Sequence, residues 1–184
     1  MKKHLTRLAA AAALTLATGA ALANTLTFQG VTFTTNALDT DTLELTIDNA
    51  LSATGDWTGI QYLKSFELKD IGTISSATLA GWTYSANELN AHGCSGGAAG
   101  GACFYTTPAT ALSNHMVFDI DFTGTLDFSA PHLKVEFFQS LTQDKATGNL
   151  LSQTIPAVPE PQTYALLLAG LGAVGFVARR RKTH

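Results

Sequence analysis

The pattern that most constrains the fold of this chain is a strict alternation of apolar and polar side chains within short segments. The alternation is clearest at residues 43–48, where leucine or isoleucine alternates with glutamate, threonine or aspartate. Successive side chains of a β-strand point to opposite faces of the sheet. The segment therefore predicts a strand with one buried face and one hydrated face.

Similar segments recur along the chain and are separated by glycine, asparagine, aspartate or proline. They are residues 26–28, 31–34, 60–69, 74–79, 82–84, 104–106, 115–126, 133–137 and 150–155. Only residues 85–90 and 108–113 have the composition of single helical turns. Parallel sheets need long crossover connections, usually helices. The sequence therefore predicts an all-β fold, an antiparallel β-sandwich or jelly-roll.

The first 23 residues have the three parts of a secretory signal peptide. Basic residues precede an apolar stretch, residues 8–22, and Ala21 and Ala23 form a small-x-small cleavage site. We therefore predict a signal peptide over residues 1–23, which signal peptidase removes. The exported β-sandwich domain then covers residues 24–155.

Residues 156–184 combine a proline-rich boundary with an apolar segment. The boundary consists of Val158, Pro159, Glu160 and Pro161. The apolar segment, residues 162–178, would form a helix roughly 25 Å long, at the short end of what crosses a hydrocarbon core of about 30 Å. The sequence therefore predicts a single transmembrane helix of marginal length.

A cluster of basic residues follows the apolar segment, within the tail at residues 179–184. The cluster consists of Arg179, Arg180, Arg181 and Lys182. Fixed positive charge is costly in lipid and is enriched on the cytoplasmic side of membrane helices. The cluster is thus predicted to stop the chain in the membrane, with everything before Pro159 outside the inner membrane.

The order of these parts, Pro-Glu-Pro, a short apolar helix and an arginine cluster, resembles the PEP-CTERM sorting signal of Gram-negative bacteria, which is also catalogued as the ice-binding protein C-terminal motif. The resemblance implies that the membrane enzyme exosortase recognises the signal, cuts near Pro-Glu-Pro and releases or transfers the protein. It implies a membrane-anchored precursor, then a cell-surface or extracellular location, with association with exopolysaccharide and biofilm. It covers about 25 of the 184 residues and concerns only sorting.

The predicted exported body is strongly acidic. It has 13 carboxylates against four lysines and no arginine, a net charge of −9, whereas the whole chain has a formal net charge of −3. Nucleic-acid binding depends on clustered positive charge. This composition therefore argues against a nucleic-acid partner and favours cations or basic surfaces.

Cys94 and Cys103 are the only cysteines of the chain. An even pair in an exported domain predicts a disulfide rather than a metal site. The bridge would close a glycine-rich loop and contribute on the order of 2–3 kcal/mol to stability. Zinc binding by His92 and the two cysteines is the alternative, and no second pair with ligand spacing supports it.

Two pairs of aspartates are weak calcium candidates. The pairs are Asp39 with Asp41 in a predicted turn, and Asp119 with Asp121 on one face of a predicted strand. Calcium prefers oxygen ligands, but neither pair has the glycine and terminal glutamate of an EF-hand loop. Solvated carboxylates on the polar side of a sheet are the simpler interpretation, so no metal and no cofactor is assigned.

Two short motifs invite a catalytic interpretation. Residues 93–97 look like the nucleophile loop of chymotrypsin-like serine proteases, but Cys94 stands where that loop has aspartate. A hydrolase would need His92, Ser95 and a carboxylate within hydrogen-bond reach of one another. The Gly-x-Gly-x-x-Gly at residues 170–175 lies inside the predicted membrane helix, where it cannot open a dinucleotide-binding unit. No catalytic residue is assigned.

The expected function is that of an exported, non-enzymatic surface or extracellular-matrix protein. The first alternative is a carbohydrate- or calcium-binding module, in which Trp57 or Trp82 would stack on a sugar ring. The second alternative is a secreted hydrolase. Expected partners are signal peptidase, exosortase, the inner membrane during transit and exopolysaccharide.

Overall fold

The computed structural model describes residues 23–157, 168–172 and 174. Residues 23–157 form ten strands and two single-turn 3₁₀ helices. The strands are β1 (Ala23–Phe28), β2 (Val31–Ala37), β3 (Thr42–Asp48), β4 (Tyr62–Lys69), β5 (Gly72–Thr78), β6 (Thr83–Asn87), β7 (Ala98–Ala111), β8 (His115–Leu126), β9 (His132–Phe138) and β10 (Leu151–Thr154), and the 3₁₀ helices are Ala50–Ser52 and Gly55–Trp57.

The strands form two five-stranded sheets. The first sheet has the order β1-β2-β3-β8-β5, and the second has the order β10-β9-β4-β7-β6. All neighbouring strands are antiparallel. The apolar inner faces of the two sheets pack into one hydrophobic core. The prediction of an all-β antiparallel sandwich is thus confirmed.

The alternation in the sequence determines which side chains enter this core. In β3, Leu43, Leu45 and Ile47 are buried, while the intervening polar residues lie on the outer face of the first sheet. Full burial of such a side chain contributes roughly 1.5–3 kcal/mol. Trp57 fills one end of the core, where its ring contacts Phe137 with centroids 5.0 Å apart.

The prediction of two helical turns is wrong. Residues 85–87 lie in β6, and residues 108–111 are the last part of β7. Pro108 is accommodated because the pairing of β7 with β4 is interrupted there: Ser65 pairs with Tyr105 and Leu63 with Thr110. A proline cannot donate a ladder hydrogen bond, and an irregularity in the ladder removes that requirement.

The hairpin between β1 and β2 has a two-residue turn at Gln29 and Gly30. Both residues have positive φ, 48° and 82°. Such turns match the right-handed twist of the strands they join. The turn expected at Gly30 is therefore present, and it sets the register in which Phe28 pairs with Val31.

The first and last described parts of the sandwich lie side by side. Asn24 in β1 and Ala157 form an isolated antiparallel bridge. The Asn24 side chain is buried, and its Nδ2 donates hydrogen bonds to the carbonyl oxygens of Phe128 (3.2 Å) and Ser129 (3.0 Å). Ala23, the last residue of the predicted signal peptide, and Ala157 therefore lie at the same end of the sandwich.

Several predictions fall outside the described residues. They concern the signal-peptide residue Ala21, the boundary residues Val158, Pro159, Glu160 and Pro161, and the basic residues Arg179, Arg180, Arg181 and Lys182. Of the predicted transmembrane helix, only residues 168–172 and 174 are described, and these are helical. Within the described ranges, no helix has the length and apolar character needed to cross a membrane.

Candidate functional site

The outer face of the second sheet carries a loop, residues 88–97, which we call the covering loop. It connects β6 to β7, and Cys94 within it forms a disulfide with Cys103 of β7. Its backbone hydrogen bonds are largely internal, as from Glu88 N to Gly97 O (3.0 Å) and from Gly96 N to Glu88 O (2.9 Å). The predicted disulfide is present, and it removes both cysteines as thiolate ligands for zinc.

A glutamate and a lysine are buried beneath this loop. Glu67 of β4 pairs in register with Lys134 of β9 and with Cys103 of β7. Glu67 is 0% exposed and Lys134 is 8% exposed. The ammonium nitrogen Nζ of Lys134 lies 3.7 Å from the Glu67 oxygen Oε2. The two charges compensate each other, as a buried ion pair requires.

The covering loop supplies further hydrogen bonds to this ion pair. The Leu89 amide donates to Glu67 Oε2 (2.9 Å), and Lys134 Nζ donates to the Leu89 carbonyl (3.3 Å). Lys134 also donates to Glu88, which lies 3.4 Å from Lys69 Nζ. The hydrogen bond from Lys134, with the positive charge of that lysine, lowers the pKa of Glu88. The loop is therefore attached to the sheet through charged groups.

A second buried carboxyl lies beside this pair. Ser65 of β4 donates a hydrogen bond of 2.7 Å to Glu136 Oε2 of β9, and both residues are buried. One oxygen of each buried glutamate, Oε1 of Glu67 and Oε1 of Glu136, has no hydrogen-bond partner within the described residues. Burial raises the pKa of both carboxyls. The arrangement can hold protons at pH values where exposed carboxyls release them.

A bulge in β4 decides which residues face this cluster. Strict alternation predicts that Leu63 shares a face with Ser65 and Glu67. The pairing of β4 with both neighbours shifts between Leu63 and Ser65. Leu63 and Phe66 therefore both enter the core, while Ser65 and Glu67 point to the outer face. Sequence reasoning missed the cluster because a period-two pattern does not show that the covering loop packs over these residues.

The structure brings three of the four calcium candidates together. Asp39 Oδ1 accepts hydrogen bonds from the amides of Asp41 (3.0 Å) and Thr42 (2.7 Å), and Thr42 Oγ1 donates to Asp121 (3.0 Å). The carboxylate of Asp39 raises the pKa of Asp41, and the charge of Asp121 adds to this effect. Asp119 instead pairs with Glu44 across the strands. Among the described residues, no group of three ligands suited to a metal ion is found.

The catalytic candidate Ser95 and the carbohydrate candidates Trp57 and Trp82 lie in different surroundings. The Ser95 hydroxyl donates to Asn90 Oδ1 (3.2 Å) and to the backbone oxygen of His92 (3.4 Å), not to an imidazole, so it serves the turn of the covering loop. Trp57 is 1% exposed and cannot stack on a sugar. Trp82 is partly exposed and packs on Phe66 with centroids 5.3 Å apart.

A cleft of about 240 Å³ lies near the other end of β4. It is lined by Lys64, by residues 106–109 of β7, by Phe138 and by Ser140, Leu141 and Gln143. The Lys64 ammonium nitrogen lies 5.4 Å from the centroid of the Phe138 ring. Leu141 is 56% exposed at the rim. The cleft thus combines one cation, hydroxyl groups and an apolar rim.

A family model of the PEP-CTERM protein-sorting motif matches residues 157–182. The resemblance noted from the sequence is therefore confirmed for this segment. No curated protein matches the chain.

Among solved structures, the chain is similar to an uncharacterized protein from Nocardia farcinica whose crystal structure is described as revealing an immunoglobulin-like fold. The identity is 8%, the match covers 72% of this chain and 81% of that chain, and the TM-score is 0.37.

Proposed function

We propose that this PEP-CTERM protein is a non-enzymatic surface or extracellular-matrix module, which exosortase sorts and which associates with exopolysaccharide in biofilm. The sorting motif supports export through a membrane-anchored precursor. The motif begins at residue 157, the residue whose bridge to Asn24 ends the described pairing of the sandwich. The domain thus ends where its sorting signal begins.

The position of the two junctions supports a tethered precursor. The predicted signal-peptide junction follows Ala23, and the sorting motif starts at Ala157, beside it in the fold. A sandwich whose two junctions adjoin one end can fold outside the membrane while both flanking segments remain attached to it. Its opposite end then faces away from the membrane.

The hydrogen-bond partners of the polar side chains in the sandwich support a structural role. Glu67, Lys134, Glu136 and Ser65 bond to one another or to the covering loop. Ser95 bonds within that loop. A nucleophile needs a base in contact with its hydroxyl. We therefore assign these groups a role in stabilising the fold.

The intact mass of the protein tests the sorting proposal. In a host that contains exosortase, we expect protein that is cleaved after Ala23 and within residues 159–161, with a gain of about two daltons on reduction of the disulfide. An isogenic host without exosortase should yield only the first cleavage. Full-length chain in the membranes of the first host, with neither cut, would contradict the proposal.

The cleft beside Lys64 is where we place exopolysaccharide. Lys69 and Lys134 are committed to ion pairs with Glu88 and Glu67, whereas Lys64 is exposed at the cleft. A cation in an otherwise acidic domain favours a carboxylated polysaccharide over a neutral one, because a charged hydrogen bond contributes about 1.5–3 kcal/mol. The neighbouring hydroxyl groups can bond to sugar hydroxyls.

Calorimetric titration with a carboxylated and a neutral polysaccharide tests this placement. We expect Lys64→Met to weaken binding of the carboxylated polymer roughly tenfold or more, because it removes the charge while keeping the apolar stem. Lys145→Met, at an exposed position outside the cleft, is the matched control and should bind as the unaltered protein does. Equal loss in both variants, or equal binding of both polymers, would refute the cleft as the site.

A further inference from the structure

The covering loop is attached to the sheet through few groups. Asn90 and Gly93 exchange backbone hydrogen bonds of 3.0 Å within the loop, so its own ladder does not depend on the sheet. The contacts with the sheet are the bonds of Leu89 with Glu67 and Lys134, the ion pairs of Glu88 and the disulfide. The Leu89 side chain is 1% exposed. Separation of residues 88–93 from the sheet would keep the Asn90–Gly93 pair, but it would break the two hydrogen bonds of Glu88 with Gly96 and Gly97 and expose the Leu89 side chain. Opening of the loop is therefore a local unfolding event.

Closure of the loop keeps water from two carboxyl groups that need it when ionised. Glu67 is 0% exposed and Glu136 is 2% exposed, and each has one oxygen without a partner among the described residues. An ionised carboxylate without full hydrogen bonding is costly to bury. Separation of residues 88–93 would hydrate both groups. Ionisation of the pair therefore favours the open loop, and protonation favours the closed loop.

The charges near each carboxyl do not overcome the cost of burying it in its ionised form. Glu67 faces Lys134 on β9, Lys69 on its own strand and the carboxylate of Glu88 on the loop, with neutral residues on β7. The two lysines and the Leu89 amide favour its ionised form. The cost of burial exceeds these effects, so the pKa of Glu67 remains above its ordinary value.

Glu136 has a weaker set of compensating groups. They are the Ser65 hydroxyl and Lys64 on β4, and the Gly93 backbone and His92 on the loop. Burial again exceeds their sum and raises the pKa of Glu136. A carboxyl with a raised pKa in the closed form binds its proton more tightly there than in the open form. Rising pH therefore favours opening.

We propose that residues 88–93 are a proton-sensitive latch over Glu67 and Glu136, whose opening becomes more frequent as these carboxyls lose their protons. The Cys94–Cys103 disulfide is the fixed end of the latch. Cys103 pairs with Glu67 across β7 and β4, so the disulfide holds residue 94 directly beside the buried pair. Opening exposes Glu67, Glu136 and Lys134 to solvent while the loop remains tethered.

Amide hydrogen exchange of the full chain in detergent micelles, between about pH 5 and pH 8, tests the latch. Protection is expressed relative to the intrinsic exchange rate at each pH, so that it reports opening alone. We expect protection of the Leu89 amide to fall about tenfold or more with rising pH, since one pKa unit corresponds to a tenfold change. Val135, a buried core residue of β9, is the internal reference and should keep its protection.

Isosteric variants identify the groups responsible. The Glu67→Gln/Glu136→Gln double variant should keep Leu89 protected across the whole range, because neither side chain can ionise. Asp119→Asn, at an exposed carboxylate of β8, is the matched control and should retain the pH dependence of the unaltered protein. Constant Leu89 protection in the unaltered protein would overturn the proposal without any variant. An unchanged pH dependence in the double variant would overturn it equally.

Discussion

Replacing Trp57 with alanine is expected to lower the free energy of unfolding by about 3–5 kcal/mol, as for other buried tryptophans. The indole is 1% exposed and contacts the rings of Phe28, Phe33 and Phe137 with centroids 5.1, 6.2 and 5.0 Å away. Its Nε1 donates to the Asn149 carbonyl (3.1 Å). The substitution would leave a cavity between the sheets and an acceptor without its donor.

Urea unfolding followed by tryptophan fluorescence and circular dichroism measures this effect. Trp82→Ala is the comparison, because Trp82 packs on Phe66 and Phe118 but is partly exposed, and its loss should cost less. Equal costs for the two variants would contradict the burial of Trp57. Loss of glycan binding in Trp57→Ala would report unfolding and not a lost sugar contact.

Replacing Lys134 with methionine is expected to lower the free energy of unfolding by about 3–5 kcal/mol near pH 7. Methionine keeps most of the side-chain volume but removes the charge that compensates Glu67. The Leu89 carbonyl also loses its donor. Because the pKa of Glu67 is already raised by burial, protonation removes the uncompensated charge as the pH falls. The deficit should therefore shrink towards about pH 4, where carboxyls protonate.

Two further variants separate charge from packing at this position. Glu67→Gln/Lys134→Met removes both charges and should recover much of the stability, since removal of a whole buried pair costs little. Lys145→Met is the surface control and should change stability by less than about 0.5 kcal/mol. A deficit in Lys134→Met that is independent of pH, or that persists fully in the double variant, would show that lost packing and not charge is responsible.

The sheets were predictable because their alternation is strong. In β3, Leu43, Leu45 and Ile47 alternate with polar residues and are buried, and in β8 the buried residues Phe118, Ile120 and Phe122 alternate in the same way. The period of two follows from strand geometry alone and needs no knowledge of the partner strand. The disulfide was predictable for a similar reason, since it depends on the number of cysteines and on export.

The errors in the secondary structure occurred where pairing overrides composition. Residues 108–111 read as a turn because of Pro108, yet they pair with β4 beyond an interruption in the ladder. The strand from residue 98 was expected to begin at 104, because Gly100 and Gly101 conceal any alternation there. Backbone hydrogen bonding to β4 and β6 stabilises an extended chain whatever its side chains.

The sequence alone determined the sorting motif, the strand pattern and the cysteine pair, because each depends on local chemistry or on periodicity. Only the tertiary structure decided that Glu67, Lys134 and Glu136 are buried. Their alternation predicts that they point away from the core, on the outer face of β4 and β9, and this is where they lie. The covering loop, held by Cys94–Cys103, excludes water from that face. Burial depends on what packs against a residue, and the sequence of the residue's own strand does not reveal this.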